Sequence, residues 1–236
     1  MSIEGKKIFI TGSTGGLGKE IAKEFAKNDC NLFLTGRNNE KLNSLKNELQ
    51  NDQIKIDFEA ADLSDVDDIQ KLIDKTKNAF PNIDILVNCA GIFPVKLLSN
   101  STVDDFEQCF SVNVKAAFVL CKEFSQGMIS KKWGRIVNIA SSSAYAGFKN
   151  TSIYCSSKHA LLGLSRSLHS ELKEHNVRTF CVSPGSIKTP MGKSVVGQSY
   201  ETFLNPSEVA ELVGRLISFD SEMISQEIQL HRMNQQ

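Results

Sequence analysis

Two side chains four residues apart, Tyr154 and Lys158, open the chemical reading, because at that spacing on a helix a phenol and an ammonium share one face. A free tyrosine has a pKa near 10, so only about one in a thousand is ionised at neutral pH. A neighbouring ammonium favours the phenolate and brings the group toward the range a general acid or base needs. Upstream, the apolar run Arg135-Ile136-Val137-Asn138-Ile139-Ala140 opens into three hydroxyls, Ser141, Ser142 and Ser143. Serines after a strand are commonly turn residues. Their place at the carboxyl end of a buried strand, where ligands of open parallel sheets bind, singles these out.

A second constellation lies near the start of the chain. Thr11-Gly12-Ser13-Thr14-Gly15-Gly16-Leu17-Gly18 sits where a short apolar strand hands over to a helix. There a phosphate would meet backbone N–H groups and the positive end of the helix, and glycines let it approach closely. The spacing is T-G-x-x-x-G-x-G rather than G-x-G-x-x-G, and alone it fits any tight βα connection. The end of the next strand reads Leu34-Thr35-Gly36-Arg37, without the acidic residue that would hold the ribose hydroxyls of NAD. Arg37 offers a planar fork of donors to a 2′-phosphate, which favours NADP over NAD, although neither Thr14 nor Gly15 adds a second positive charge.

Periodicity supplies the elements that must position these groups. Strand patterns fall at Lys7–Thr11, Asn31–Thr35, Lys55–Ala60, Ile83–Asn88, Arg135–Ala140, Val177–Ser183 and Glu227–His231. Helical patterns fill the gaps at Gly16–Asn28, Glu40–Asn51, Val66–Ala79, Val103–Lys131, Ser152–His175 and Ser207–Phe219. Most of the strands are continuous apolar runs, as expected when both faces of a parallel sheet are covered. The expected fold is α/β: one doubly wound parallel sheet of about seven strands with helices on both faces, a Rossmann fold. No linker or repeat divides residues 1–236, so a single nucleotide-binding domain that includes the catalytic residues is expected. Residues 188–205 have no clear period and are expected to form a substrate lid.

Composition narrows the function classes. Over 236 residues, 27 Lys+Arg balance 27 Asp+Glu, so no electrostatic footprint for nucleic acid or an anionic membrane is visible. The opening residues lack a secretory apolar run and no stretch of ~18 apolar residues occurs, which leads to the expectation of a cytoplasmic protein. The six cysteines form no C-x-x-C pair and the four histidines show no ligand spacing with them. Reduced, core-filling thiols and no metal site are therefore expected.

In order and spacing, the residues above resemble the short-chain dehydrogenase/reductase family over nearly the whole chain. The matching positions are Thr11–Gly18, Asp62-Leu63, Asn88-Cys89-Ala90-Gly91, Asn113, Ser141, Tyr154 and Lys158, then Pro184-Gly185 followed by Thr189 and Met191. The family's serine precedes its tyrosine by thirteen residues, which selects Ser141 over its two neighbours. The resemblance implies a catalytic set of Asn113, Ser141, Tyr154 and Lys158. Tyr154 would protonate a carbonyl oxygen, Ser141 would hydrogen-bond it, and Lys158 would bind the nicotinamide ribose and lower the tyrosine pKa. Asn113 would hold a water that passes protons to Lys158.

The cofactor cradle implied is Gly12, Ser13, Thr14, Gly16, Leu17 and Gly18 for the phosphates, with Arg37, Asp62 and Leu63 toward the adenosine. Asn88, Ala90 and Gly91 would border the ribose, and Pro184, Gly185, Ile187 and Thr189 the nicotinamide. The activity implied is NADP(H)-dependent interconversion of a carbonyl and an alcohol, similar to 3-oxoacyl-[acyl-carrier-protein] reductases. Alternatives are a reductase of a small ketone or sugar, and a catalytically silent NADP-sensing protein. Relatives are commonly homodimers or homotetramers built on the helices of residues 103–131 and 152–175. Ala116, Ala117, Phe118, Leu161, Leu162 and Leu164 are candidate apolar surface there, and core packing explains them equally well. The run Gln229-Leu230-His231-Arg232-Met233 departs from the family's Gly-Gly pair.

Overall fold

The computed structural model describes residues 2–233. Seven strands, β1 Lys7–Ile10, β2 Asn31–Gly36, β3 Ile56–Ala60, β4 Ile85–Asn88, β5 Gly134–Ile139, β6 Val177–Pro184 and β7 Glu227–Leu230, form one sheet in the order β3-β2-β1-β4-β5-β6-β7. Every pairing is parallel. The direction of progress reverses between β1 and β4, and the crevice there is the ligand site of doubly wound sheets.

The continuous apolar runs are explained by burial on both faces. Ile8 and Ile10 of β1, Leu32 and Leu34 of β2, and Ile85 and Val87 of β4 enter one core. Helices α1 (Gly16–Lys27), α2 (Asn39–Leu49) and α7 (Pro206–Ser218) cover it with Ile21, Phe25, Leu42, Leu45, Val209 and Val213. The alternate residues Phe9, Phe33, Leu86 and Ile136 enter the opposite core, against α3 (Val66–Ala79) and α5 (Ala116–Lys131). Phe9 sits edge-on to Phe33 and Phe124 at 5.5 and 5.3 Å, a geometry that adds ~1 kcal/mol per pair beyond area burial.

The expected helix Val103–Lys131 has a finer structure. It is α4 (Val103–Phe110), a π-helical turn over Ser111–Lys115, and α5, with right-handed helical dihedrals at both junctions. The next helix, α6, spans Ser152–Leu172 and tightens into a 3₁₀ turn at Lys173–His175. Residues 188–205 contain two 3₁₀ turns, Gly192–Ser194 and Tyr200–Thr202, and a single bridge between Ile187 and Leu204. No helix of the described residues is long and apolar enough to cross a membrane.

Four of the six candidate surface residues are core residues. Ala116, Ala117, Leu161 and Leu162 are buried, because the alanines lie on the α5 face turned to the sheet and the leucines, with Ala117, pack against Ala140 and Cys181. Phe118 is exposed and Leu164 half-buried.

Candidate active site

A cleft of about 890 Å³ opens at the carboxyl ends of the strands, near the upper end of the ~300–1,000 Å³ range of ligand sites. The glycine turn forms its floor. Gly12 has φ +66°, and a Cβ there would lie 2.8 Å from the Ala90 Cα. A Cβ on Gly18 would reach 2.2 Å from the Gly12 carbonyl oxygen, and one on Gly16 would meet Thr189 Cγ2 at 2.6 Å. The cradle therefore accepts only bare backbone. Gly15 is the N-cap of α1 and supplies no side-chain cap, so first-turn N–H groups and the positive helix end remain for an anion. Thr14 and Leu17 also line the cleft. Ser13 does not: it is fully buried, and its hydroxyl donates to the Thr35 carbonyl at 3.0 Å, tying the turn to β2.

Along one arm of the cleft stand Arg37, Asp62 and Leu63. The Asp62 carboxylate accepts from Ser64 N at 2.9 Å and Ser64 Oγ at 2.7 Å. These bonds, with the Arg37 charge as a smaller contribution, hold it below the ordinary carboxylate range. The structure adds Lys41, which the sequence reading missed. Asn38 caps α2 by accepting from Lys41 N at 2.8 Å, and this first turn of helix brings Lys41 into the cleft lining that also holds Arg37. The signal available was a basic residue one turn past the strand-end arginine. Among the described residues lining the cleft, Arg37, Lys41, Lys149 and Lys158 face a single carboxylate, Asp62. An otherwise neutral chain thus concentrates positive charge along a cleft suited to an anionic ligand.

Ser141, Tyr154 and Lys158 converge on the middle of the cleft. Ser141 lies two residues past the end of β5 and caps the short turn Ser142–Ala144, its hydroxyl accepting from Ser143 N at 3.1 Å. Ser142 and Ser143 also line the cleft. Lys158 Nζ is buried and donates to the Ile139 carbonyl at 2.9 Å, 5.7 Å from the centroid of the Tyr154 ring. Burial pushes the Lys158 ammonium down to about 8. Burial also pushes the Tyr154 phenol up to about 12, with the Ser141 hydroxyl pulling the other way. The expected lowering of the tyrosine pKa by the lysine is not among the influences acting on the phenol. Desolvation is the largest cause and only the Ser141 hydroxyl opposes it, while Lys158 is itself held partly toward neutrality.

Asn113 and Asn88 stand behind the cleft wall, around a small adjoining pocket that shares Leu63, Ala90 and Val112 with it. Asn113 sits in the π turn, accepts from Ile92 N at 2.8 Å, and donates to the Ile92 carbonyl at 3.1 Å and to Ser157 Oγ at 3.0 Å. It thereby fastens the loop after β4 to α6, and a Cβ on Gly91 would lie 3.3 Å from Asn113 Oδ1 and 3.6 Å from Lys158 Nζ. Its side chain acts as a clamp. Asn88 is buried between β4 and β5, donating to Asn138 Oδ1 at 2.8 Å. Its neighbours Cys89, Ala90 and Gly91 do line the cleft, and burial pushes the Cys89 thiol up to about 12.

Pro184, Gly185, Ile187 and Thr189 also line the cleft, and Thr189 Oγ1 accepts from Gly192 N at 3.1 Å. Phe93 packs edge-on to the Tyr154 ring at 4.6 Å, and Val95, Phe148, Met191 and Val196 line the cleft together with the polar Gln108, Lys149, Asn150 and Gln198.

Comparisons with known proteins agree on one family. A sequence model described as short chain dehydrogenase matches residues 6–199. A protein named 3-oxoacyl-[acyl-carrier-protein] reductase FabG from Rickettsia prowazekii is 32% identical, covering 95% of this chain and 94% of its own. One of the same name from Aquifex aeolicus is also 32% identical, covering 97% and 96%. Among solved structures, an alcohol dehydrogenase from Thermococcus sibiricus, complexed with 5-hydroxy-NADP, superposes with TM-score 0.89 at 26% identity over 99% of both chains. A metagenomic short-chain oxidoreductase in complex with NADP gives TM-score 0.83 at 27% identity, covering 98% of this chain and 99% of that one. With the glycine cradle, the Ser141–Tyr154–Lys158 cluster and the strand order in agreement, the chain belongs to the short-chain dehydrogenase family of oxidoreductases.

Proposed function

We propose that this chain, acting as one nucleotide-binding domain, is an NADP(H)-dependent reductase of carbonyl compounds, with 3-oxoacyl thioesters as the first substrate class. The observation that carries the reading is the convergence of Ser141, Tyr154 and Lys158 on a cleft whose floor only bare glycine backbone fits. NADP suits that floor, since the α1 N-terminus can take the pyrophosphate and Arg37 with Lys41 a 2′-phosphate. When bound, this cofactor supplies the hydride for the carbonyl carbon.

The chain's own residues do the rest. Tyr154, kept protonated by burial, is ready to donate to a carbonyl oxygen. Ser141 is placed to hydrogen-bond the same oxygen as negative charge grows on it. Lys158, anchored on the Ile139 carbonyl, presents its remaining ammonium donors to ribose hydroxyls. The glycine turn and the Asn113 clamp fix the two sides of the cleft relative to α6.

The thioester assignment draws on the names of the two 32%-identical relatives and on the apolar side chains Phe93, Val95, Phe148 and Met191 among the cleft lining, which suit an acyl chain. The test is NADPH oxidation followed with acetoacetyl thioesters, small diketones and keto-sugars. Turnover of the thioesters is expected. Activity only on the other two classes would remove the acyl assignment and leave a small-ketone or sugar reductase. Tight NADPH binding with no turnover on any carbonyl would instead make the chain a sensor.

A further inference from the structure

The C-terminal run that departs from the family pattern places one side chain against the segment bordering the cleft. The Arg232 guanidinium donates through Nη1 to Thr202 Oγ1 at 2.6 Å and through Nη2 to Gln198 Oε1 at 3.0 Å. Its Cζ also lies over the Phe203 ring, 5.4 Å from the centroid. All three partners belong to residues 188–205, and all are neutral. A planar fork that spans two acceptors four residues apart fixes geometry, which a simple charge would not.

The contact is relayed to the cleft. Gln198 Oε1 also accepts from Ser186 Oγ at 3.0 Å, and both residues line the cleft. Leu204 N donates to the Ser186 carbonyl and Lys188 N to the Leu204 carbonyl, each at 2.9 Å. The stretch Ser186–Thr189, which follows β6 along the chain, is therefore held through Gln198 and Leu204 by a strap that Arg232 grips. The strap's own supports are two 3₁₀ turns, one bridge and the buried Phe203 ring with Tyr200 tilted against it at 5.4 Å. Lys193 over the Tyr200 ring, the Gly192 N–Thr189 Oγ1 bond and a Lys188–Glu201 ion pair at 3.6 Å add to them. Segments with so few regular hydrogen bonds depend on individual anchors.

We propose that Arg232 is a positioning residue that latches residues 188–205 along the cleft, holding Ser186–Thr189 in place and setting how long a bound dinucleotide stays. The second half of this statement rests on the NADP reading above; the latch itself does not. The latch acts mainly on release, because within one site most differences in affinity appear in the off-rate.

Two measurements on the full chain test it. Limited chymotryptic cleavage after Tyr200 in the cofactor-free protein should be about tenfold faster in Arg232→Ala, as expected for losing charge-assisted hydrogen bonds. Stopped-flow release of NADPH should accelerate by a similar factor, about tenfold, with association little changed. Arg232→Lys keeps the charge but loses the fork and should behave like Arg232→Ala. Full rescue by lysine would overturn the latch in favour of a plain electrostatic role, and wild-type cleavage and release in Arg232→Ala would overturn it outright. Should Arg232→Ala fail to fold, the double variant Gln198→Leu, Thr202→Val removes the acceptors and must show the same accelerations; wild-type behaviour there refutes the proposal. If wild-type chain binds no NADPH, the cofactor reading fails while the cleavage experiment still decides the latch.

Discussion

Burial drives both members of the Tyr154–Lys158 pair toward their neutral forms, the phenol up to about 12 and the ammonium down to about 8. The signs for stability follow from linkage. Lys158 binds its proton more weakly folded than unfolded, so a destabilisation present below pH 8 is relieved as pH rises from about 8 to its ordinary 10.5. Tyr154 favours its neutral form when folded, so its contribution is present below its ordinary 10 and lost between there and about 12. For catalysis, the phenol keeps its proton across the working range and Lys158 is the group that titrates. kcat/KM for carbonyl reduction should therefore fall on an alkaline limb near pH 8, and Lys158→Arg should remove that limb whatever it does to the absolute rate. A limb that survives in the arginine variant belongs to another group. At the opposite arm, Arg37 and Lys41 should together give NADPH at least about a tenfold advantage over NADH, or ~1.4 kcal/mol. Fluorescence titration of Arg37→Ala and Lys41→Ala should show each losing part of that preference with NADH affinity little changed. Equal affinities in the wild-type chain would refute it.

The elements carry these groups through backbone that tolerates little. A methyl on Gly18 would collide with the Gly12 carbonyl, a backbone atom that cannot rotate away, at 2.2 Å. Gly18→Ala should therefore open the turn, lower the melting temperature by an amount equivalent to ~1–3 kcal/mol, and weaken NADPH binding by tenfold or more. Calorimetry and titration together check this, and a variant with wild-type affinity would mean that the turn does not form the cofactor floor. The strands and their hand-over turns were legible because a parallel sheet buried on both faces needs unbroken apolar runs, as in Phe9 between Ile8 and Ile10. The π turn was not legible. Apolar periodicity runs across residues 103–131 without interruption, and the extra residue in the turn shows only once Asn113 is seen bonded to Ile92 and Ser157. Side-chain direction was equally hidden for Ser13 and Asn88. One is turned inward by its bond to Thr35 and the other by the register that places Asn88 opposite Asn138.

At the scale of the whole molecule, charge and apolar surface are distributed in ways that composition cannot show. The balanced 27 and 27 charges conceal a cleft with four cations and one carboxylate. Apolar residues are likewise unevenly spent: those the sequence offered as a subunit contact are mostly core, while Val103, Phe106 and Phe118 on α4 and α5 are 72%, 44% and 51% exposed. Phe106 stacks on Phe110 at 4.2 Å, so the outer face of these helices carries a preformed aromatic pair. Surface aromatics gathered along one helical rod mark a contact site when their neighbours are polar. The partner that needs no other chain is a second copy, since a two-fold axis would set α4 and α5 against themselves and cover the same residues on both sides. We propose that the chain is a homodimer or homotetramer through this face. Sedimentation velocity of the wild-type chain should show a dimer or larger, and Phe118→Glu, placing like charges across the axis, should shift it toward monomer with the fold intact by circular dichroism. A monomeric wild-type chain would refute the assembly, and an unshifted oligomer in Phe118→Glu would move the interface to another face of the molecule.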